Sequence, residues 1–190
     1  MYNIIKKYVK EHSETDDIHG FPHVQRVHDL CVKIGKELNA NLKILRIAAY
    51  LHDIGRTHER IGPERRNHAE ISATIAKKYL LSLIYIDQDE LNQIVHCIQT
   101  HSYSNRMKPI TLEAKILSDV DKLDAIGAIG LYRTIGFTIK LDGGIEQVIK
   151  HLDEKILHLH ENLYLDNSKH IAEKRREIIK QFYLELKEEM

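Results

Sequence analysis

The chain has 190 residues, of which 43% are hydrophobic and 29% are charged. This composition is typical of a folded globular domain and excludes a largely disordered chain. The formal net charge is zero, so no excess of positive charge favours nucleic acid or an anionic membrane as the main partner. The apolar runs fall short of the roughly 20 residues that a membrane helix needs, and the first residues lack the apolar core of a signal peptide. We therefore expect a cytoplasmic protein without a membrane partner, and its oligomeric state stays open.

Apolar side chains recur at helical spacing along the chain, and no strand-like alternation is found. The expected fold is all-α, with about eight to ten helices in a single domain over residues 1–190. Gly127 and Gly130 predict either close helix packing or a break. The pattern predicts helices over residues 2–12, 22–38, 42–51, 67–81, 87–100, 112–126, 145–160 and 168–188.

Three polar residues are expected to cap helices at their N-termini. Asn41, Asn67 and Thr111 each come directly before an apolar periodic segment. Their side-chain oxygens can accept hydrogen bonds from the backbone N–H groups of the first helical turn. Glu70 follows Asn67 at the spacing of a capping box.

Histidine is unusually frequent in this chain, with 13 residues. Five of them lie near the ends of predicted segments rather than inside apolar stripes, and metal ligands and acid–base groups usually lie at such positions. The two cysteines, Cys31 and Cys97, have no CxxC spacing, so we expect both to be buried reduced thiols. The five histidines are His19, His23, His52, His68 and His101.

The most informative stretch is residues 48–56 (AAYLHDIGR), an apolar helical run that ends on adjacent His52 and Asp53. Neighbouring helical residues point about 100° apart, so two such side chains rarely reach one ion in the middle of a helix. At a helix end loosened by Gly55 they can do so. His23 and Asp121 are the candidates for the remaining ligands.

His23, His52, Asp53 and Asp121 together offer two imidazoles and two carboxylates. A mixed nitrogen and oxygen set suits Mn, Fe, Co, Ni or Mg, with water completing the coordination shell. The absence of thiolates argues against a structural zinc site of the cysteine type. We predict one divalent ion per chain at these residues.

This ligand pattern resembles the signature of the HD superfamily of metal-dependent phosphohydrolases. The resemblance implies an HD-type helical bundle and a hydrolase whose metal is held by His23, His52, Asp53 and Asp121. The motif-bearing core covers about residues 19–133, and the helices of residues 145–188 carry no matching motif. The segments that carry the resemblance are residues 19–27 (HGFPHVQRV), residues 48–56 and residues 118–130 (SDVDKLDAIGAIG), the last being typical of small bacterial and archaeal members.

Asp119 and Asp124 are rivals of Asp121 for the last ligand position. In the family, the ligand is normally the acid followed by a basic residue and leucine, which here are Lys122 and Leu123. The resemblance therefore favours Asp121. Each residue taken alone is as readily a helix cap or a satisfied polar group, and only the set indicates a metal.

Phosphoryl hydrolysis needs cations that stabilise developing charge and a donor that protonates the leaving oxygen. A bound ion would lower the pKa of its water and polarise a phosphoryl oxygen, which makes Asp53 a catalytic ligand. Lys122 is the candidate for charge stabilisation, while Arg26 and Arg56 could bind a phosphate. Surface salt bridges are the alternative for all three cations. Some family members place a catalytic acid where this chain has Arg56, so the acid–base group stays unassigned.

His68 and His101 resemble extra histidines of many HD proteins. The resemblance assigns them acid–base catalysis, phosphate binding or a second metal site. The helix dipole disfavours the cationic form of His68 at a helix N-terminus, which suits acid–base or ligand roles. His19 is a further candidate for substrate binding.

The resemblance does not fix the substrate. Small members with the motif of residues 118–130 include nucleotide pyrophosphohydrolases, so the favoured reaction hydrolyses a nucleoside triphosphate to its monophosphate and pyrophosphate. The four arginines of residues 56–66 suit a polyphosphate, although a solvated loop explains them too. A 5'-nucleotidase or a phosphodiesterase on the same site is the alternative. A non-catalytic module that binds a nucleotide or a metal is the third possibility.

Overall fold

The computed structural model describes residues 1–58, 67–83, 86–102, 105 and 107–190, and every regular element among them is a helix. The predicted all-α class is therefore confirmed. Among the described residues, the 3-10 helices Arg56–His58 and Ile156–Asn162 accompany the α-helices. The α-helices of the described residues are α1 (Tyr2–His12), α2 (Phe21–Glu37), α3 (Leu42–Leu51), α4 (His68–Leu83), α5 (Gln88–Thr100), α6 (Leu112–Asp124), α7 (Ala128–Lys140), α8 (Ile145–Glu154) and α9 (Asp166–Glu188).

The described chain forms two compact units, residues 1–118 and residues 119–190. The boundary falls inside α6, and the single-domain organisation stays a prediction. None of the described helices is long and apolar enough to cross a membrane. Most of the predicted basic loop, residues 59–66, lies outside the described residues.

Helix α3 forms the centre of the first unit, where it packs against α1, α2 and α5. Seven of its residues are buried, as expected of a helix that is apolar around most of its circumference. The predicted cap is confirmed, because the Asn41 side chain accepts hydrogen bonds from the backbone N–H groups of Lys43 and Ile44. The core therefore fixes the C-terminal end of α3, which delivers His52 and Asp53.

Gly55 allows the turn after α3 to lie directly against α4. Its backbone N–H donates to Ser72 Oγ at 2.9 Å. A Cβ atom on Gly55 would lie 2.5 Å from the backbone nitrogen of Ser72 and 2.9 Å from the carbonyl carbon of Ile71. Real side chains do not tolerate such contacts with backbone atoms, so only glycine fits here.

Buried Asp119 organises the second unit by capping the start of α9. Its carboxylate accepts the backbone N–H of Tyr164 at 2.9 Å and that of Leu165 at 2.9 Å. Leu165 is the N-cap position of α9. A side chain more than 40 residues away in sequence therefore satisfies the donors that precede this helix.

Helix α7 occupies a region to which the sequence pattern assigns no helix. It contains two glycines and several β-branched residues, which all lower helix propensity. The structure shows why one of these residues is glycine, because a Cβ on Gly130 would overlap the backbone of Ala125. Thr134 and Thr138 donate their hydroxyls to the carbonyls of Gly130 and Thr134. Gly130 therefore permits the first turn of α7 to pack closely against the chain at Ala125, which precedes the helix.

The second unit also differs from prediction in three helix boundaries. Helix α6, predicted to end at residue 126, ends at Asp124. The helix predicted over residues 145–160 ends at Glu154 and continues as the 3-10 helix Ile156–Asn162. Helix α9 begins at Asp166, two residues before the predicted start. The prediction for the cysteines is confirmed, since Cys31 and Cys97 are both free and buried. Burial raises the pKa of the Cys97 thiol to about 12, so this thiol is unreactive.

Replacing Gly55 with alanine is expected to lower the free energy of unfolding by about 1–3 kcal/mol, because the new methyl group must push the turn away from α4. The matched control is Gly144→Ala, where the nearest atom to an added Cβ is a Gln147 side-chain oxygen at 3.6 Å. Urea unfolding followed by circular dichroism measures both variants. Equal stability of the two variants would contradict the close approach described for Gly55.

Replacing Asp119 with alanine is expected to cost about 2–3 kcal/mol, because two backbone N–H groups lose their acceptor. Asp166→Ala removes an exposed carboxylate that pairs with Lys169 at 3.0 Å and should cost less than about 1 kcal/mol. The same unfolding experiment compares the two. A small loss for Asp119→Ala would show that the carboxylate does not hold α9.

Candidate metal centre

The side chain of Asp53 lies at the centre of a group of histidines in the first unit. Its side chain is only 1% exposed. The oxygen Oδ2 lies 3.6 Å from His23 Nε2 and 3.8 Å from His52 Nε2. The other oxygen, Oδ1, lies 3.5 Å from His68 Nε2 and 3.5 Å from His101 Nε2. Each carboxylate oxygen therefore faces a pair of imidazole nitrogens.

His52 and His101 are held in the same way, each at the C-cap position of a helix. His52 follows α3 and its Nδ1 lies 2.8 Å from the carbonyl oxygen of Ala49. His101 follows α5 and its Nδ1 lies 2.6 Å from the carbonyl oxygen of Ile98. A carbonyl oxygen only accepts hydrogen bonds, so Nδ1 carries the proton in both rings. The lone pair of each neutral ring is then on Nε2, which faces Asp53.

This arrangement fits a cation. The Nε2 atom of His101 is buried and has no hydrogen-bond partner among the described residues, which is costly for a buried acceptor. The Nε2 atoms of His52 and His23 lie only 3.2 Å apart. Ligand atoms of His52, Asp53 and His101 all lie within 4.8 Å of one another. A carbonyl that fixes the distal nitrogen of a histidine is also the usual support of a metal ligand.

Arg56 binds the carboxylate of Asp53 with two hydrogen bonds. Its Nε donates to Oδ2 at 2.8 Å, and its Nη2 donates to Oδ1 at 3.2 Å. Burial alone would raise the pKa of Asp53, but nearby positive charge, chiefly that of the Arg56 guanidinium, holds the pKa well below its ordinary value. Asp53 is therefore ionised throughout the physiological pH range.

His68 closes the group from the start of α4. The predicted cap is confirmed, because Asn67 Oδ1 accepts the backbone N–H of Ala69 at 2.9 Å. His68 Nε2 lies 3.2 Å from Arg56 Nη2, so the guanidinium donates and the imidazole accepts. This contact makes His68 a hydrogen-bond acceptor, which suits its position at a helix N-terminus, where the helix dipole disfavours a cation.

The two rivals of Asp121 have partners of their own in the second unit. Asp119 accepts from the backbone of Tyr164 and Leu165. Burial raises the pKa of Asp119, and these backbone hydrogen bonds oppose the increase. Asp124 accepts from Arg133 Nη1 at 2.8 Å. Asp121 is half-buried on α6. Its assignment as a metal ligand stays a prediction, and the structural contacts of Asp119 and Asp124 favour it over them.

Lys122 is buried rather than on the surface. Its side chain lies over the ring of Tyr164, with Nζ 5.3 Å from the ring centroid. Burial lowers the pKa of Lys122, while Asp119 and Asp121 oppose that decrease. The alternative of a surface salt bridge is therefore wrong for this residue, and its catalytic role stays a prediction.

The remaining predicted residues are Arg26 and His19. Arg26 lies in the second turn of α2, and His19 precedes this helix. Arg26 Nη2 donates to the carbonyl oxygen of Asp17 at 3.3 Å. The backbone N–H of His19 donates to Asp16 Oδ1 at 3.0 Å. Both side chains are half-buried. Their roles in substrate binding are untested by this geometry and stay predictions.

Two serines support the group and were not identified from the sequence. Ser72 Oγ accepts the backbone N–H of Gly55, which fixes the turn that carries Asp53. Ser118 Oγ donates to the carbonyl oxygen of His101 at 3.3 Å. Both serines are buried and interrupt otherwise apolar helix faces. That interruption is the one signal in the sequence that could have indicated them.

Comparisons with known proteins identify the family. The model of the HD domain family matches residues 20–126, a segment that contains all the histidines of the group. YpgQ of Bacillus subtilis is 28% identical over 180 residues, which cover 90% of this chain and 84% of that protein. A ribonuclease Y of Chloroflexus aurantiacus is 33% identical over 121 residues, which cover 63% of this chain and 21% of that protein.

Solved structures show the same fold. The crystal structure of B. subtilis YpgQ in complex with ADP has a TM-score of 0.79 and 27% identity, and the match covers 100% of this chain and 98% of that chain. An HD-superfamily hydrolase from an uncultured Thermotogales bacterium has a TM-score of 0.67 and 26% identity, with 99% and 90% coverage. Because the family model covers more than half of the sequence, this chain belongs to the HD domain family.

Proposed function

We propose that this chain is a metal-dependent phosphohydrolase that cleaves a phosphoanhydride bond of a nucleoside triphosphate and releases the monophosphate and pyrophosphate. The proposed metal ligands are His23, His52, Asp53 and Asp121. The observation that carries the proposal is the convergence of two buried imidazole nitrogens on one oxygen of an ionised carboxylate: His23 Nε2 and His52 Nε2 lie 3.6 and 3.8 Å from Asp53 Oδ2.

The donor set indicates what kind of ion this place accepts. It offers imidazole nitrogen and carboxylate oxygen without thiolate, which favours Mn, Fe, Co, Ni or Mg over a structural zinc ion. When bound, such an ion supplies Lewis acidity and an acidified water. We propose one ion per chain, with the pair His68 and His101 left to contact the substrate.

Several cationic or protic groups of this chain suit a phosphorylated substrate. The partly exposed guanidinium of Arg56 already lies beside the carboxylate, and a phosphate oxygen can accept its N–H groups in the same planar geometry. His68 Nε2 and His101 Nε2 each lie 3.5 Å from Asp53 Oδ1, close enough to exchange a proton with a group bound there. Arg26, His19 and Lys122 are proposed to bind or stabilise further phosphate oxygens.

The choice of a nucleotide is supported by the YpgQ relative, whose structure contains ADP. ADP carries a β-phosphate, which a nucleoside monophosphate lacks. A site that recognises a chain of phosphates agrees with hydrolysis at a phosphoanhydride bond. We therefore propose nucleoside triphosphates as the substrate class.

The second candidate is a phosphodiesterase that acts on the same site. The similarity to a ribonuclease Y supports it, because that protein is named for RNA cleavage and this chain matches 21% of its length. The neutral net charge of this chain does not favour a long polyanion as substrate. A 5'-nucleotidase is the corresponding alternative for monoesters.

A release assay decides between these reactions. The purified chain is incubated with Mn, Mg, Co or Ni and with nucleoside mono-, di- and triphosphates, cyclic nucleotides and a short RNA. We expect pyrophosphate from triphosphates and no inorganic phosphate from monophosphates. Release from monophosphates would establish a nucleotidase, and cleavage of cyclic nucleotides or RNA would establish a phosphodiesterase. Metal binding without any release would favour a regulatory module.

Replacing Asp53 with asparagine is expected to lower the affinity for Mn at least about tenfold and to abolish turnover, because the change removes the ligand charge and keeps the size of the side chain. Isothermal titration with Mn and the release assay measure the two effects. The matched control is Asp29→Asn, whose carboxylate is 64% exposed and lies outside the group. Unchanged Mn affinity in Asp53→Asn would contradict the proposed metal centre.

A further inference from the structure

The guanidinium of Arg56 occupies both oxygens of the carboxylate that is proposed to bind the metal. Its Nε and Nη2 donate to Oδ2 and Oδ1 of Asp53 at 2.8 and 3.2 Å. The same Nη2 lies 3.2 Å from His68 Nε2. One cation therefore contacts the carboxylate at the place where Asp53 faces the histidines.

A divalent ion and a guanidinium on the same carboxylate oppose each other. Both are positive, and two positive charges a few ångströms apart in a partly buried place repel strongly. They also draw on the lone pairs of the same two oxygens. A carboxylate has about four lone-pair sites, so it can hold both groups, but the repulsion between them means that binding of the ion weakens the ion pair between Arg56 and Asp53.

Arg56 is placed to move from the carboxylate to a phosphate. Its side chain is 24% exposed, whereas that of Asp53 is 1% exposed, so the guanidinium is the member of the pair that can reach a ligand from solvent. Its planar fork forms paired hydrogen bonds with carboxylates and phosphates alike. A phosphate oxyanion therefore offers Arg56 a replacement partner.

We propose that Arg56 competes with the divalent ion for Asp53, and that the phosphate of the substrate draws Arg56 away, so that metal and phosphate strengthen each other's binding. This inference rests on the proposed function of the same site. By pairing with Asp53 until a phosphate binds, Arg56 then makes tight metal binding depend on the presence of substrate. Thermodynamic linkage requires that the metal strengthen phosphate binding by the same factor.

The first test measures Mn binding alone by isothermal titration, using the full-length protein stripped of metal with a chelator. Arg56→Gln is expected to bind Mn about tenfold more tightly than the wild type, within the usual range of coupling between sites. The matched control is Arg46→Gln, which removes a guanidinium that lies over the Tyr2 ring, 4.2 Å from its centroid. This control loses the same charge and should change Mn affinity less than about twofold.

The second test repeats the titration in the presence of inorganic phosphate. Phosphate is expected to tighten Mn binding of the wild type, and to do so much less in Arg56→Gln, because the variant has no guanidinium to release. Arg56→Lys keeps the charge but offers no planar fork. It is expected to bind Mn with an affinity between those of the wild type and Arg56→Gln, and it serves as a second variant if Arg56→Gln fails to fold.

The outcomes separate this inference from the proposed function. Equal Mn affinity in Arg56→Gln would overturn the inference, and lower Mn affinity would overturn it and show that Arg56 orients the carboxylate for the metal instead. An equal effect of phosphate on both proteins would overturn the proposed release. If the folded wild type binds no Mn at all, the proposed metal function fails and this inference fails with it.

Discussion

The ionised carboxylate of Asp53 is the constraint on which the first unit depends. A buried charge is tolerated only when opposite charges or hydrogen-bond donors surround it. Here the surrounding groups come from four separate segments: the start of α2, the end of α3 with its following turn, the start of α4 and the end of α5. The helices must therefore meet at one place, and their apolar faces are arranged around that place.

The histidines in this group are not equivalent, because their backbone contacts give them different states. Carbonyl oxygens hold the Nδ1 atoms of His52 and His101, which directs their lone pairs at Asp53. His68 instead accepts from Arg56. The same residue type therefore supplies fixed lone pairs from helix C-terminal ends and an acceptor for a cation from a helix N-terminus.

Much of the fold and of this group could be predicted from the sequence, because the signals are local. The apolar periodicity of α3 and the adjacent pair His52–Asp53 indicate a buried helix that ends on polar ligands. The caps Asn41 and Asn67 were predicted for the same reason, since a cap and its helix are neighbours in sequence. Asp119 and Asp124 could not be excluded as ligands locally, because their partners Tyr164 and Arg133 are fixed by tertiary packing.

The structural features that could not be predicted depend on tertiary contacts, which local sequence patterns do not indicate. Helix α7 was missed because its glycines and β-branched residues oppose helix formation, and the reason for Gly130, its close approach to the backbone of Ala125, is visible only in the structure. The contact between Gly55 and Ser72 joins a turn to a helix that begins more than ten residues later. Sequence position indicated that Arg56 is near Asp53, but the two hydrogen bonds between them follow from the course of the chain after Gly55.

The C-terminal ends of α3 and α5 both lie near the carboxylate, since the side chains of their C-cap residues His52 and His101 reach within 3.8 and 3.5 Å of its oxygens. The peptide dipoles of a helix leave partial negative charge at its C-terminus. Two such ends near one carboxylate add negative electrostatic potential that belongs to the backbone. This potential attracts any cation that enters, whether a guanidinium or a metal ion, and it persists when individual side chains are replaced.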